Sequence, residues 1–561
     1  MKQLSGLDAS FLYMETGRQF GHVTGLGVFR RPDEPGWSPY DALVGRLNAE
    51  AERLEPFRRR VVEVPFDLDH PYWITDPDFD LEFHVRTTAL PPPGSITELQ
   101  NLAARLIATP LDRTRPLWEI YVIEGLSDGR FAVLTKLHHA TIDGAAGAEL
   151  MTLIYDPDSQ QRSTPVAPPV VAEPVPSPGQ VLRRALFDVA RKPGKFARLQ
   201  VRSLRAIGDL TRNEGITGLA ELLRTLPNPV GARLARIGRP PGDPDKPMAP
   251  PVSSAPPTPF NGSITAHRRV ALRSVSLEQI KETKKAVGAT VNDVVMAACA
   301  GALRTWLAER DALPDAPLVA MVPVSIRSGA EADPWTNRVS AVFPPIPTDS
   351  ADPVERLDRV HAYMDEAKDR FLLLPADVIT EYAEFAPPAL AIRAARVAAR
   401  LRIGDRLRPP FNLVISNVPG PRTPLRLGGA ELEAYYPVST IVDGQGLNIT
   451  LQSYMGRLDF AMVSCRELLP DLDHLADLLV DEFDSLHRTL VPGADGDAAA
   501  PAAASPAGPI GAAGAVVATP TAGAVVASPT AAAAAADVAA GGGAAPVART
   551  RKRAAAGTPR S

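Results

Sequence analysis

Two adjacent imidazoles followed by a carboxylate and a glycine, His138-His139-Ala140-Thr141-Ile142-Asp143-Gly144, are the side chains with the most chemical content in this chain. An alcohol is far too weak an acid to lose its proton at neutral pH. A neutral imidazole of pKa about 6.5 can accept that proton while the oxygen attacks a thioester carbonyl. Such a step requires neither a metal nor a covalent enzyme intermediate. An HHxxxDG run therefore points to acyl transfer with a His general base, worth roughly 10²- to 10⁴-fold in rate.

The flanking sequence predicts a strand, a break and a helix. Phe131 to Leu137 is an extended apolar run, Ala140 to Gly144 interrupts it, and Ala145 to Tyr155 has helical spacing. Asp143 then lies near a helix N-terminus, where its carboxylate meets free N–H groups and the positive end of the dipole. Neighbouring side chains on a strand point to opposite faces, so His138 and His139 cannot both line one cleft. One does chemistry and the other packs.

Three further groups have a structural and a functional reading each. Asn292 and Asp293 precede a helical apolar face through Val294, Val295 and Ala298, as a capping pair or as site residues. Ser416 and Asn417 end a strand expected over Phe411 to Ser416, where Val-Pro-Gly-Pro forces a turn. Trp118 follows a proline at a strand start, as a core aromatic or a substrate contact.

The chain has 561 residues, 45% of them hydrophobic, and a formal charge of −4, which allows at least two cored domains and gives no global sign of nucleic-acid binding. Cys299 and Cys465 stand alone, so neither a metal site nor a disulfide framework is expected, in keeping with a reducing cytosol. Asp8 and Glu15 break up any apolar core after Lys2, and no stretch offers the roughly 20 apolar residues of a spanning helix. No secretion signal or membrane span is expected.

Residues 1–157 mix alternating and helical segments and carry the heptapeptide. Proline-rich linkers in 158–262 flank a basic helical insert, 263–490 is a second α/β stretch without a second HHxxxDG, and 491–561 is Ala/Gly/Pro-rich and expected to be disordered. Strands are expected in the second stretch at Leu318–Val324, Phe411–Ser416, Leu447–Tyr454 and Leu458–Cys465. In the insert, Leu182, Ala185, Leu186 and Val189 share a helical face beside Arg183, Arg184, Arg191 and Lys192, and a similar pattern spans Leu390 to Arg408. Each is either a membrane-docking face or a solvated one, and thirteen Lys or Arg between Arg183 and Arg239 favour an anionic surface.

Several runs, in order, resemble the bacterial wax ester synthase/diacylglycerol acyltransferase family. These are Leu4-Ser5-Gly6-Leu7-Asp8-Ala9-Ser10-Phe11-Leu12, Asp76-Pro77-Asp78-Phe79-Asp80 with Phe83-His84-Val85, and Pro116-Leu117-Trp118-Glu119. The heptapeptide, Thr290-Val291-Asn292-Asp293-Val294-Val295 and Ile415-Ser416-Asn417-Val418-Pro419-Gly420-Pro421 complete the set. The resemblance implies an α/β fold of mixed sheets, in two chloramphenicol-acetyltransferase-like or condensation-like halves with the active site in a tunnel between them. It implies transfer from acyl-CoA, as co-substrate and with no cofactor, to diacylglycerol or a long-chain alcohol. The second His, His139, would be the base, with His138 and Asp143 shaping the site, Gly144 allowing close backbone approach, and Asn292 and Asp293 contributing across the cleft. In similar condensation domains an Asp/Arg pair braces this loop, which implies a pairing of Asp143 with an arginine of the Phe57-Arg58-Arg59-Arg60 run, Arg58 first among them. An acceptor dissolved in lipid implies a cytoplasmic enzyme held peripherally on the inner membrane face or on lipid inclusions. A condensation-type enzyme using a carrier-bound donor and a catalytically silent lipid-droplet or membrane-binding protein are the alternatives.

Overall fold

The computed structural model describes residues 1–51, 53–142, 144–157, 171–188, 255–325, 335, 337, 339–372 and 408–491, with a few positions between 389 and 405. The elements of the first part are β1 (Lys2–Gln3), α1 (Gly6–Tyr13), β2 (His22–Arg30), α2 (Pro39–Ala49), α3 (Glu55–Arg58), β3 (Arg59–Val62), β4 (Tyr72–Thr75), α4 (Leu81–His84), β5 (Val85–Ala89), α5 (Ile96–Ile107), β6 (Trp118–Glu124), β7 (Arg130–His138), α6 (Gly144–Ile154) and β8 (Asp156–Pro157). Those of the second are β9 (Arg268–Ser276), α7 (Leu277–Val287), α8 (Val291–Ala308), β10 (Leu318–Ser325), β11 (Val339–Val342), β12 (Pro345–Ile346), α9 (Pro353–Leu372), β13 (Leu413–Val418), β14 (Leu425–Leu427), β15 (Ala430–Val438), β16 (Leu447–Tyr454), β17 (Arg457–Cys465) and α10 (Leu472–Leu490).

Local signals start these helices where the backbone needs donors satisfied. The Ser5 hydroxyl caps α1 by accepting from Asp8 N–H, Ser95 and Glu98 form a capping box at α5, and α7 stops at Gly288 in the left-handed conformation. In α10, Leu472, Leu475, Ala476, Leu479, Phe483 and Leu486 fall on one stripe and are buried.

One mixed sheet has the order β5-β6-β7-β2-β15-β14-β8, the other β11-β10-β13-β16-β17-β9 with β12 on β10, and β1, β4 and β3 form a small third sheet. Alternation on β13 and β16 turns Leu413, Ile415, Leu447, Ile449 and Leu451 toward α8 and α10, where each fully buried aliphatic contributes roughly 1.5–3 kcal/mol. The other face of the second sheet meets the first through Val270, Leu272, Ala461 and Val463 against Leu26, Val28 and Leu134. Strand β7 is thus covered on both faces, which accounts for its unbroken apolar run.

Two expectations need correction, and one pairing was not anticipated. From the stretch 263–490, β14 and β15 join the first sheet, β15 pairing antiparallel with β2 from Glu431↔Arg30 to Val438↔Thr24. Without them β2 would be an open edge. Strand β13 continues to Val418 rather than ending at Ser416, since its parallel ladder with β16 runs on to Val418↔Gln452. In the helical stretch 178–188 the buried side chains are Val181 and Ala185, packed on Val64 and Tyr72, while Leu186 is 54% exposed. The basic stretch from 189 to 239 and the tail beyond 491 lie outside the described residues.

Candidate active site

Strand β7 ends at His138, whose register partner on β2 is His22, and the pairing extends one residue further as His139 N–H donates to Gly21 O at 2.7 Å. Alternation then separates the two imidazoles. His138 is completely buried. Its Nδ1 accepts from Ala140 N–H at 3.1 Å, so the ring proton sits on Nε2, which lies 3.2 Å from Glu15 Oε1 at ion-pair distance but out of line for a hydrogen bond. Burial alone would raise the Glu15 carboxyl, but His138, the Gly21 N–H and Arg113 outweigh it and hold the pKa at about 2. Gly21 is required here because a Cβ would stand 2.7 Å from His138 Nε2 and 2.8 Å from Phe11 O.

His139 is half-buried and held on two sides. The Phe11 ring stacks on the imidazole at 4.1 Å and 7°. In the ring plane, Nδ1 lies 3.2 Å from Asn337 Oδ1. The Asn337 amide is oriented without ambiguity, since its Nδ2 donates to both Asp8 Oδ1 and His139 O at 2.7 Å, and both are acceptors. Its oxygen must therefore face the imidazole, placing the His139 proton on Nδ1 and the basic lone pair on Nε2. Asp8 accepts from the Asn337 backbone N–H at 3.2 Å and from the Ser5 hydroxyl at 2.7 Å. Burial raises the Asp8 carboxyl above its ordinary range despite these bonds.

Helix α6 leaves this point and packs against β13 of the second sheet. On the face of β16 turned toward the first sheet, Asn448, Thr450 and Gln452 are all buried. Asn448 Nδ2 donates to Thr440 O, Thr440 Oγ1 to Phe20 O, and Gln452 Nε2 reaches Met151 Sδ at 3.2 Å. Gln452 of the second sheet thus stands against α6, while Asn448 holds the β15–β16 connection, whose Thr440 reaches the segment that carries Gly21.

The residues singled out from sequence are not all brought together. Gly144 opens α6, while Asp143 and its expected pairing with Arg58 lie outside the described residues. The Arg58 guanidinium lies 4.6 Å from the Phe79 ring centroid. Trp118 is buried between Phe57 and His84, with Nε1–H donating to Phe57 O at 2.9 Å, one strand away from the heptapeptide. Ser416 pairs with Thr450 and shares its inward face, whereas Asn417 is exposed. Asp293 is in a capping box with Thr290 and 2.8 Å from His361 Nδ1, with none of these contacts reaching His139. Asn292 sits beside it in the first turn of α8. Among the described residues no three His, Cys, Asp or Glu side chains converge as metal ligands would.

Sequence reasoning missed Asp8, Phe11, Glu15, Gly21 and Asn337 as site residues. Ser5-x-x-Asp8 reads as a helix start, and it is one, which hides the second use of the carboxylate. Asn337 lies in Pro334-Trp335-Thr336-Asn337-Arg338, a run without periodicity of any kind.

The wax ester synthase/diacylglycerol acyltransferase catalytic domain matches residues 4–295, and the C-terminal domain of that family matches residues 335–487. A Mycobacterium tuberculosis protein named probable diacylglycerol O-acyltransferase is 39% identical over 486 residues, 86% of this chain and 98% of that one. The O-acyltransferase WSD of Acinetobacter baylyi is 34% identical over 489 residues, covering 86% and 96%. A solved wax ester synthase/diacylglycerol acyltransferase from Marinobacter aquaeolei VT8 superposes with a TM-score of 0.58 at 30% identity, over 87% of this chain and all of that one. With matches from residue 4 to residue 487 and the heptapeptide at the junction of its two sheets, the chain belongs to the wax ester synthase/diacylglycerol acyltransferase family.

Proposed function

We propose that this enzyme moves a fatty acyl group from acyl-CoA to the hydroxyl of diacylglycerol or of a long-chain alcohol, with His139 as general base. The observation that carries the reading is the line His139–Asn337–Asp8, which fixes an imidazole with its basic nitrogen at Nε2. The acceptor hydroxyl loses its proton to Nε2 as its oxygen attacks the thioester carbonyl. Collapse of the tetrahedral intermediate breaks the C–S bond, and the imidazolium returns the proton to the departing CoA sulfur. While the ring is charged, the Asn337 carbonyl dipole faces its Nδ1–H and stabilises it, with Asp8 behind the amide. The acyl group and nucleophile come from the substrates and the proton carrier from the protein, so the reaction needs no further cofactor. We place the enzyme in the cytoplasm, where acyl-CoA is available.

The test offers palmitoyl-CoA to diacylglycerol and to hexadecanol side by side, with wild type and His139→Ala. Ester from at least one acceptor, falling at least about 10²-fold in the variant with the fold intact, is the expected result. A folded variant that keeps half the wild-type rate removes His139 as the base. Ester formed only from a carrier-bound donor removes acyl-CoA.

A further inference from the structure

Exposed apolar side chains gather around the β3–β4 connection, residues 63–71. Phe66 is 80% exposed at its tip, and both Phe66 and Asp67 have positive φ, 63° and 52°, a conformation that a bulky aromatic rarely adopts. Leu68 is exposed two residues on. Two further elements grip the same connection. The helical stretch 178–188 packs Val181 and Ala185 on Val64 and Tyr72, leaving Leu186 exposed beside Arg183 and Arg184. The segment around residues 392–402 brings Ile392, Arg396 and Arg400 to a cavity whose other walls include Val64, Asp67, Asp69 and Pro71, and it exposes Val397 and Leu401.

That cavity, about 610 Å³, also includes Leu12, Tyr13 and Glu15 in its wall. Glu15 is the carboxylate 3.2 Å from His138 Nε2, so one side chain separates the cavity from the buried His138.

We infer that this face, centred on Phe66 and flanked by arginines of the 178–188 and 392–402 stretches, docks on an anionic phospholipid bilayer and opens the cavity beneath it toward the lipid. An exposed Phe and Leu on a turn, with aliphatics beside them on basic elements, match the apolar interior and negative headgroups of such a surface. Arg183, Arg184, Arg393, Arg396 and Arg400 are all exposed, and they supply the charge complementarity. Among the described residues no single helix is long and apolar enough to cross a membrane. Contact is made by side chains lying on the surface. The docking rests on the proposed function only for the route of the lipid acceptor.

The full chain is floated with phosphatidylcholine vesicles and with vesicles of equal parts phosphatidylcholine and phosphatidylglycerol. Binding is expected on the anionic vesicles only and is expected to fall in about 0.5 M NaCl. Phe66→Ser with Leu68→Ser, and separately Val397→Ser with Leu401→Ser, should each lower the bound fraction at least about fivefold. Ester formation from acyl-CoA and a short soluble alcohol should persist in both. Cys299 and Cys465 are fully buried, so a Phe66→Cys variant takes a polarity-sensitive fluorophore at residue 66, and its emission should shift blue on anionic vesicles. Flotation of the serine variants equal to wild type, equal binding to both vesicles, no binding at all, or an unshifted probe would each overturn the inference. A wild type that floats as expected but forms no ester would overturn the proposed function and leave the docking face standing.

Discussion

His139 Nδ1 and Asn337 Oδ1 stand 3.2 Å apart although 198 residues separate them, and the contact joins the part of the chain matched by the catalytic domain to the part matched by the C-terminal domain. The imidazole proposed as general base is oriented from the other half of the molecule. Asn337→Ala should lower kcat about 10²-fold with KM changed less than about threefold, because it removes the acceptor that sets the tautomer and the dipole that faces the imidazolium. The pH profile of kcat should move with it. A matching loss in KM and kcat with an unchanged profile would give Asn337 a role in substrate binding instead.

Gly21→Ala should cost stability and activity together. Its new Cβ meets a backbone oxygen and the buried His138 ring, neither of which can give way without disturbing Phe11 or Glu15. Gly45 in α2 has nothing within 4 Å of the same atom, so Gly45→Ala should stabilise by about 0.5–1 kcal/mol. Paired melting curves and rates test both.

Glu15 sets a pH dependence of stability. Its folded pKa, about 2, is below the ordinary value of 4.5, so its contribution is present above about pH 4.5 and is lost as the pH falls toward 2. The shift corresponds to an order of magnitude of 3 kcal/mol. Glu15→Gln should therefore lower the melting temperature at pH 7 by several degrees and flatten its fall between pH 4.5 and 2. Curves that stay parallel across that window would contradict the ionic role.

Asp293 is expected to act through the helix that it starts. Asp293→Asn weakens a capping box and the contact with His361 and should cost about 1–2 kcal/mol of stability, while kcat/KM stays within about twofold. A large fall in kcat at unchanged stability would restore the pair Asn292 and Asp293 to the active site.

The strand, break and helix around the heptapeptide were legible because each has its own period, and the alternation of side chains along a strand is enough to send His138 and His139 to opposite faces. What holds His139 was not legible. Asn337 acts through one amide placed by tertiary structure, and a lone polar residue in an aperiodic run leaves no local trace. Strand β15 escaped for a related reason. Ala430 to Val438 alternates, but alternation does not say which sheet a strand joins, and its partner β2 lies near the other end of the chain.

The β15–β2 pairing also bears on how the protein is made. Arg30 and Glu433, an ion pair on that ladder, are 403 residues apart. At about 5–20 residues per second, a ribosome needs roughly 20–80 s to travel from one to the other. Throughout that interval β2, with Leu26, Val28 and Phe29, lacks its β15 partner, and among the described residues no earlier strand takes its place. The nascent chain thus carries an open, apolar strand edge for most of its synthesis, the condition under which holding chaperones compete with aggregation. A polypeptide released before residue 430 is left with that edge permanently open, which makes premature termination a route to insoluble protein rather than to a working half-enzyme.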